Sequence, residues 1–131
     1  MIYCEGARMQ RWKIAFYENE DGNYPVQDYL FDGKNETDFI VIFNVIQRLS
    51  RIGQYLLDTN MAKRLGGDLY ELRKNRHRII YAQDGDRFIL LSAFLKKTQK
   101  TPTKELIRAK KHLEKYRKTG KCLEFNIPDS R

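Results

Sequence analysis

The chain has 131 residues, of which 41% are hydrophobic and 32% charged, which suits one domain with a proper core and excludes a disordered protein. It has no apolar run near the roughly 20 residues of a membrane span and no signal-peptide segment, so a cytoplasmic protein without a membrane partner is expected. The net charge of +8 is uneven: residues 1–62 carry six Lys/Arg against nine Asp/Glu, and residues 63–131 carry nineteen against eight. This asymmetry favours one basic face and a nucleic-acid or acidic-protein partner.

The N-terminal half predicts one strand followed by two helices. The stretch "RWKIAFY" at 11–17 alternates and is rich in β-forming residues, which predicts a strand. A short helix is predicted over 25–33, because a proline opens this stretch and a glycine closes it. Apolar residues at helical spacing over 35–53 predict a second helix, with Asn35 as the N-cap. The stretch 54–68 is expected to be a connector with one helical turn.

The C-terminal half predicts a three-stranded meander and a basic helix. Three strand-like runs at 68–73, 77–83 and 87–94 are separated by "KNR" and "DGD", and connections this short require antiparallel pairing. A helix is predicted next, with Thr101 as its N-cap and a proline in its first turn. Outside its apolar stripe, this helix carries almost only Lys and Arg. The sequence leaves open whether the tail at 119–131 is ordered.

These elements predict a single α+β domain over 1–131 with the order β-α-α-β-β-β-α. The expected arrangement is an antiparallel sheet with the two N-terminal helices on one face, which leaves the other face at least partly available. Side chains two apart on a strand share a face, so the short turn brings Arg73 and Arg78 to the same end of the sheet. The third strand returns Lys96 and Lys97 to that end.

The convergence of these cations predicts a phosphate site. Like charges repel, so a fold that gathers them needs a counter-charge, and a phosphodiester backbone is the commonest one. A lysine beside other cations has a lowered pKa, which suits it to proton transfer. His77 stands beside Arg78 and could assist such a transfer. The residues expected to bind RNA around this site are Lys74, Arg76, His77, Lys100 and Lys104.

Other chemistries find little support in the sequence. The two histidines have no Cys or carboxylate at metal-ligand spacing, so neither a metal site nor a cofactor is expected. His112 is expected to be solvated on the charged side of the last helix. Without a secretion signal, Cys4 and Cys122 are expected to be reduced thiols.

The segment that runs from "LGGDLYELR" through "RHRIIYAQDGDRFILLSAFLKKTQKTP" to the last helix resembles the phage-derived branch of the RelE/HigB-like toxin family. The resemblance is close over 65–116 and looser for "WKIAFY" and the two helices, while 1–10 and 119–131 fall outside it. It implies a RelE-like fold and a type II toxin that enters the ribosomal A site and cuts mRNA without a metal ion. In that reaction the ribose 2′-OH attacks the adjacent phosphate and leaves a free 5′-OH.

The resemblance also implies roles for single residues. Arg78 matches the arginine of the family's "RI-Y" strand and would stabilise the phosphorane. Arg73 of "YELR" would clamp the phosphate. Lys96 and Lys97 match the basic pair after the last strand, one as acid or base and the other as an electrostatic anchor. An aromatic residue that some relatives use near the C-terminus has no clear match here. Two tyrosines are candidates for it, both with good core explanations: Tyr81 and Tyr116.

The partners that the resemblance implies are the ribosome, mRNA and a cognate antitoxin of the helix-turn-helix type. Two alternatives remain open at this point. A non-catalytic nucleic-acid-binding domain of the same fold would use the same cations, because binding and cutting need the same charges. An interaction protein whose basic face docks an acidic partner would instead show no salt-dependent RNA binding.

Overall fold

The computed structural model describes residues 12–32 and 36–126. These residues form six strands, three α-helices and one 3-10 helix: β1 (Lys13–Tyr17), α1 (Pro25–Leu30), α2 (Glu36–Ile52), the 3-10 helix (Gly53–Asp58), β2 (Ala62–Gly66), β3 (Leu69–Lys74), β4 (His77–Asp84), β5 (Arg87–Leu95), α3 (Thr103–Thr119) and β6 (Cys122–Phe125). All seven predicted elements are present, and the mixed α/β architecture is consistent with the predicted α+β class. None of the helices in these residues is long and apolar enough to cross a membrane.

The six strands form one sheet in the order β2-β3-β4-β5-β1-β6. The meander from β2 to β5 is antiparallel, as predicted for its last three strands, and β6 pairs antiparallel with β1. The sheet is nevertheless not wholly antiparallel, because β1 lies parallel to β5 with Ile14 opposite Phe88. Turn signals determine the pairing of consecutive strands alone, so the sequence held no signal for a pair whose strands are about seventy residues apart.

Two strands lie where the sequence predicted a connector and an undecided tail. In β2, Ala62 is buried whereas Lys63 and Arg64 are exposed. In β6, which has four residues, Leu123 and Glu124 are exposed. Both strands lie at an edge of the sheet, where short and charged strands are common. The exposed Lys63 and Arg64 concealed β2 in the sequence, and the four residues of β6 were too few to give a clear strand pattern.

The sheet is covered on both faces. Val26 and Leu30 of α1 and Ile46 of α2 pack against β1, β4 and β5, which confirms that the two N-terminal helices cover one face. On the other face α3 packs Ala109 and Leu113 against the sheet. The expectation that this second face stays partly available holds at the end beside the β3–β4 turn, where a groove opens.

His112 of α3 helps to fix that helix on the sheet. Its Nδ1 lies 2.7 Å from the carbonyl oxygen of Leu91, and its ring stacks on that of Tyr17 with 4.5 Å between centroids. The prediction of a solvated His112 is therefore wrong. The helical spacing of the apolar residues left His112 out of the predicted buried stripe of this helix, although it is next to Leu113 in the chain.

The end of α2 is built around a glycine. Gly53 has φ +61°, and a Cβ added there would lie 2.8 Å from the Trp12 ring. The backbone N–H of Trp12 donates to the carbonyl of Ser50 at 2.9 Å, which holds the start of β1 against this turn. The predicted stop of the helix is confirmed, whereas the predicted N-cap, Asn35, lies outside the described residues.

Candidate nucleic-acid interface

Three chain segments meet at one end of the sheet, as the sequence predicted. Arg73 of β3 lies directly opposite Arg78 of β4 in the antiparallel register. The end of β5 returns beside the start of β4, and Lys96 follows it. The backbone N–H of Lys96 donates to the carbonyl of Arg76 at 2.7 Å, and Arg76 Nε donates to the carbonyl of Lys96 at 3.2 Å. These bonds fasten the β3–β4 turn to the segment after β5.

An open groove of about 600 Å³ lies at this end of the sheet. We call it the cationic groove, and the residues that line it are Arg73, Arg76, Arg78, Lys96, Lys97, Thr98 and Gln99. A neighbouring hollow of about 420 Å³ shares Arg73 and Arg78 with the groove and also includes Lys74. Two further predicted RNA-binding residues, Lys100 and Lys104, are exposed but do not line the groove.

Arg78 is held firmly at the base of the groove. Its residue exposure is 8%, and its Nη1 donates to the carbonyls of Asn75 and His77 at 2.8 and 2.9 Å. Its Nε has no hydrogen-bond partner among the described residues. Burial, followed by the charge of Arg73, lowers the pKa of Arg78, and Glu71 opposes that shift. A guanidinium remains charged at any ordinary pH, so Arg78 places a fixed positive charge at the base of the groove.

A buried carboxylate that was not predicted from the sequence lies beneath these cations. Glu71 is 1% exposed; its Oε1 lies 3.8 Å from Arg73 Nε and 3.9 Å from Arg78 Nε. Thr101 Oγ1 donates to Glu71 Oε2 at 2.8 Å. The predicted cap role of Thr101 is therefore wrong, since Pro102 is the N-cap of α3 and no side chain caps it. Strand alternation, which put Glu71 on the face of Arg73, was the signal that could have found it.

The two lysines after β5 have different environments. Lys96 is half-buried, whereas Lys97 is exposed. Desolvation lowers the pKa of the Lys96 ammonium, and the charges of Arg78 and Arg73 lower it further. Both lysines line the cationic groove. The geometry thus separates two neighbours that the sequence could not distinguish.

His77 lies on the opposite face of the sheet from Arg78. Its Nδ1 is 2.8 Å from the hydroxyl of Tyr29 in α1, and its Nε2 is 3.2 Å from a carboxylate oxygen of Asp38 in α2. It lines a pocket of about 180 Å³ on that face, together with Tyr29 and Leu95. Adjacent residues of a strand point to opposite faces, so the position of His77 beside Arg78 in the sequence does not bring its ring into the cationic groove.

The two candidate tyrosines both have structural partners away from the groove. Tyr81 is fully buried and its hydroxyl donates to Gln54 at 3.0 Å; burial raises its pKa. The hydroxyl of Tyr116 donates to Asp84 at 2.6 Å, at the opposite end of β4 from Arg78. Their core explanations are confirmed.

Metal-binding groups are sparse in the part of the chain that the structure describes. Over residues 12–32 and 36–126, no cluster of three or more His, Cys, Asp or Glu could hold a metal ion. Cys122 is a free thiol there, and Cys4 lies outside the described residues.

The fold and the groove define a small mixed α/β protein with clustered cations at one end of its sheet. Residues 33–114 match the phage-derived protein Gp49-like family (DUF891), and the match covers more than half of the chain. The chain belongs to this family, which is a family of toxins of toxin–antitoxin systems. Membership implies an antitoxin as partner. No curated protein matches the chain.

Proposed function

We propose that this toxin is an endoribonuclease of the RelE/HigB type that cuts mRNA on the ribosome in the cytoplasm. The observation that carries the proposal is the cationic groove, in which five Arg and Lys side chains from three segments meet around the fixed guanidinium of Arg78. Such a site suits a phosphodiester whose charge increases during the reaction. Membership in a toxin family supports a harmful activity, and the sequence resemblance supports mRNA as the target.

The groove can meet the demands of metal-independent cleavage. The ribose 2′-oxygen attacks the adjacent phosphorus, so that a 2′-O–P bond forms and the P–5′-O bond breaks. Arg73 would hold a non-bridging phosphate oxygen from the more open side. Arg78, fixed by two carbonyls, would stabilise the extra charge of the phosphorane without having to reorganise.

We assign the proton transfer to Lys96. Its lowered pKa brings the ammonium closer to the range in which it can release a proton. Lys96 would protonate the leaving 5′-oxygen while water takes the proton of the 2′-OH. Lys97, which is exposed, would anchor the RNA backbone. The difference in burial between the two lysines supports this choice of Lys96 over Lys97.

The partners follow from the same groove. A ribosome-bound mRNA would present its backbone to the cationic groove, with Lys74, Lys100 and Lys104 around it on the surface. An antitoxin of the helix-turn-helix type would neutralise the toxin by covering the groove or by blocking entry to the ribosome. His77 is not part of this proposed site, because its ring lies on the other face.

Induction of the wild type and of Arg78→Ala in a host without the antitoxin tests the proposal. The wild type should arrest growth and create mRNA fragments with 5′-OH ends inside translated codons. Arg78→Ala should do neither, because the phosphorane loses its fixed cation. Arg48→Ala, an exposed arginine of α2 outside the groove, is the matched control and should remain toxic. Mapping of 5′ ends by sequencing provides the readout.

A second variant guards against loss of folding in Arg78→Ala. The double change Lys96→Ala with Lys97→Ala alters side chains nearer to solvent and should lower cleavage more than RNA affinity. Toxicity that survives in both variants would refute the assigned site. Soluble wild-type protein that binds RNA but neither arrests growth nor cuts would favour the non-catalytic binding domain. A cut that a chelator abolishes would refute the metal-independent mechanism.

A further inference from the structure

The carboxylate of Glu71 has no direct place in the reaction, yet it lies buried beneath the cations of the groove. A buried carboxylate is costly unless charged or hydrogen-bonding groups compensate it. Here the compensation comes from Thr101 and from the guanidinium groups of Arg73 and Arg78, which lie 3.8 and 3.9 Å away. Both guanidinium contacts exceed a good hydrogen-bond length. Glu71 therefore acts on the two arginines through charge and does not occupy their hydrogen-bond donors.

This charge explains how the cations can assemble before any RNA arrives. Arg73 and Arg78 are direct neighbours across two strands, and each disfavours the charged form of Lys96. Glu71 opposes both effects, since it favours the charged forms of Arg78 and Lys96. Part of the counter-charge that these cations need is thus supplied by the protein itself, and not only by a phosphodiester.

Glu71 also fastens the loop that carries the two lysines. The segment between β5 and α3 is held at its start by the paired backbone and side-chain bonds between Lys96 and Arg76. At its end, the hydroxyl of Thr101 donates to Glu71. Between these two points lie Lys97, Thr98 and Gln99, which line the groove. The Glu71 carboxylate therefore fixes the position of this loop relative to the two arginines.

We infer that Glu71 is a positioning residue of the cationic groove, where its carboxylate is the resident counter-charge of Arg73, Arg78 and Lys96 and the anchor of the loop through Thr101. It is 1% exposed, so it acts through these residues and does not contact the RNA. This inference rests on the proposed function for its catalytic consequence, whereas its effect on Lys96 is a property of the free protein.

The test compares Glu71→Gln with the wild type. Glutamine keeps the length of the side chain and an oxygen that can accept from Thr101, but it removes the charge. Single-turnover cleavage of ribosome-bound mRNA should fall at least about tenfold, because Arg73 and Arg78 repel each other without the Glu71 charge and lose their fixed positions at the phosphate. The limb of the pH–rate profile that reports Lys96 should also move to lower pH, because a lost negative charge disfavours the ammonium. Affinity for an oligonucleotide with a 2′-deoxy residue at the cleavage site should be unchanged or higher.

Variants of Thr101 distinguish the effect of the Glu71 charge from the role of Glu71 as the anchor of the loop. Thr101→Val removes the hydrogen bond at nearly constant shape and should slow cleavage without moving the pH–rate limb, whereas Thr101→Ser should restore the rate. If Glu71→Gln cleaves at the wild-type rate with an unshifted profile, the inference is wrong. Equal losses of affinity and rate, with a lower melting temperature, would make Glu71 a residue of the core and also overturn the inference.

A readout without RNA distinguishes failure of the inference from failure of the proposed function. The pKa of Lys96, followed by NMR of its side-chain carbon and nitrogen, should be lower in Glu71→Gln than in the wild type. If this shift is observed in a protein that does not cut RNA, the inference stands and the proposed function fails. An unchanged pKa of Lys96 would refute the inference even in an active nuclease.

Discussion

At the scale of single residues, the environment rather than the residue type decides chemical character. Lys96 and Lys97 are the same residue type and adjacent in the chain, yet Lys97 is exposed whereas Lys96 is half-buried. Desolvation and the charges of Arg78 and Arg73 lower the pKa of Lys96. Arg78 differs from the exposed arginines in a similar way, because two backbone carbonyls fix its guanidinium. The groove is therefore built from a few positioned charges within a generally basic surface.

Gly53 offers a residue-scale prediction about the fold. Gly53→Ala should lower the free energy of unfolding by about 1–2 kcal/mol for the left-handed backbone and by about another 1–3 kcal/mol for the clash with Trp12, because a Cβ would approach that ring to 2.8 Å. Chemical denaturation followed by circular dichroism measures this loss.

Gly85 provides the matched control for Gly53. It has the same φ of +61°, but a Cβ added there meets nothing within 4 Å. Gly85→Ala should therefore show the backbone cost alone, about 1–2 kcal/mol. Equal losses in the two variants would mean that the Trp12 ring moves aside without cost, and the steric argument would fail.

The residues that line the groove were largely predictable from the sequence, whereas the contacts that fix their positions were not. Short connections and strand alternation put Arg73, Arg78, Lys96 and Lys97 at one end of the sheet, and the structure brings them together there. Alternation also placed Glu71 on the face of Arg73, but nothing in the sequence showed that Thr101 would leave the helix cap to donate to it. A contact between residues thirty positions apart depends on how α3 docks on the sheet.

At the scale of elements, the docking of α3 converts a sheet with one covered face into a three-layer arrangement. The apolar stripe of α3 was readable, because Ala109 and Leu113 recur at helical spacing. The sequence did not show which surface the stripe covers. The edge strand β6 and the parallel pairing of β1 with β5 escaped prediction for a similar reason, since β1 pairs in both cases with a distant part of the chain.

The attachment of α3 should depend on pH through His112. Burial lowers the pKa of His112, and the charges of Arg108 and Lys115 contribute to this shift, while the bond to the Leu91 carbonyl opposes it. The unfolded chain therefore takes up a proton first as the pH falls below the ordinary histidine range near 6.5. The stability contributed by neutral His112 is full above that range and is lost as the pH falls below it towards the folded pKa.

Urea unfolding at pH 7.5 and pH 5.0 measures this dependence. The wild type should be less stable at pH 5.0, and His112→Phe should show a smaller difference between the two conditions. Phenylalanine keeps a ring that can stack on Tyr17, although the bond to Leu91 is lost at both pH values. If the variant loses as much stability on acidification as the wild type, His112 is not the responsible group.

At the scale of the whole molecule, the positive charge is distributed in two ways. One part is concentrated in the cationic groove, and another extends along the exposed side of α3. Some cations of α3 are paired with carboxylates, as Lys115 is with Glu20 and Arg117 with Asp68. Three exposed lysines spaced seven residues apart, and therefore aligned along the helix, have no ion pair among the described residues: Lys104, Lys111 and Lys118.

We expect this line of lysines to contact ribosomal RNA. Each lysine that neutralises a phosphate releases counterions and contributes about 0.7–0.9 to the slope of log affinity against log salt. Changing Lys104, Lys111 and Lys118 to glutamine together should therefore reduce the magnitude of that slope by about two to three. Binding of the protein to purified ribosomes over a potassium chloride series measures it.

The cations of α3 that already have carboxylate partners provide the comparison. Lys115→Gln with Arg117→Gln should change the slope less per residue, because Glu20 and Asp68 already balance these charges and the pairs are largely surface contacts. An equal change per residue in both variants would show that the ribosome responds to net charge and not to the aligned lysines. A wild-type protein without any salt dependence would contradict RNA contact altogether and favour an acidic protein as the partner of this face.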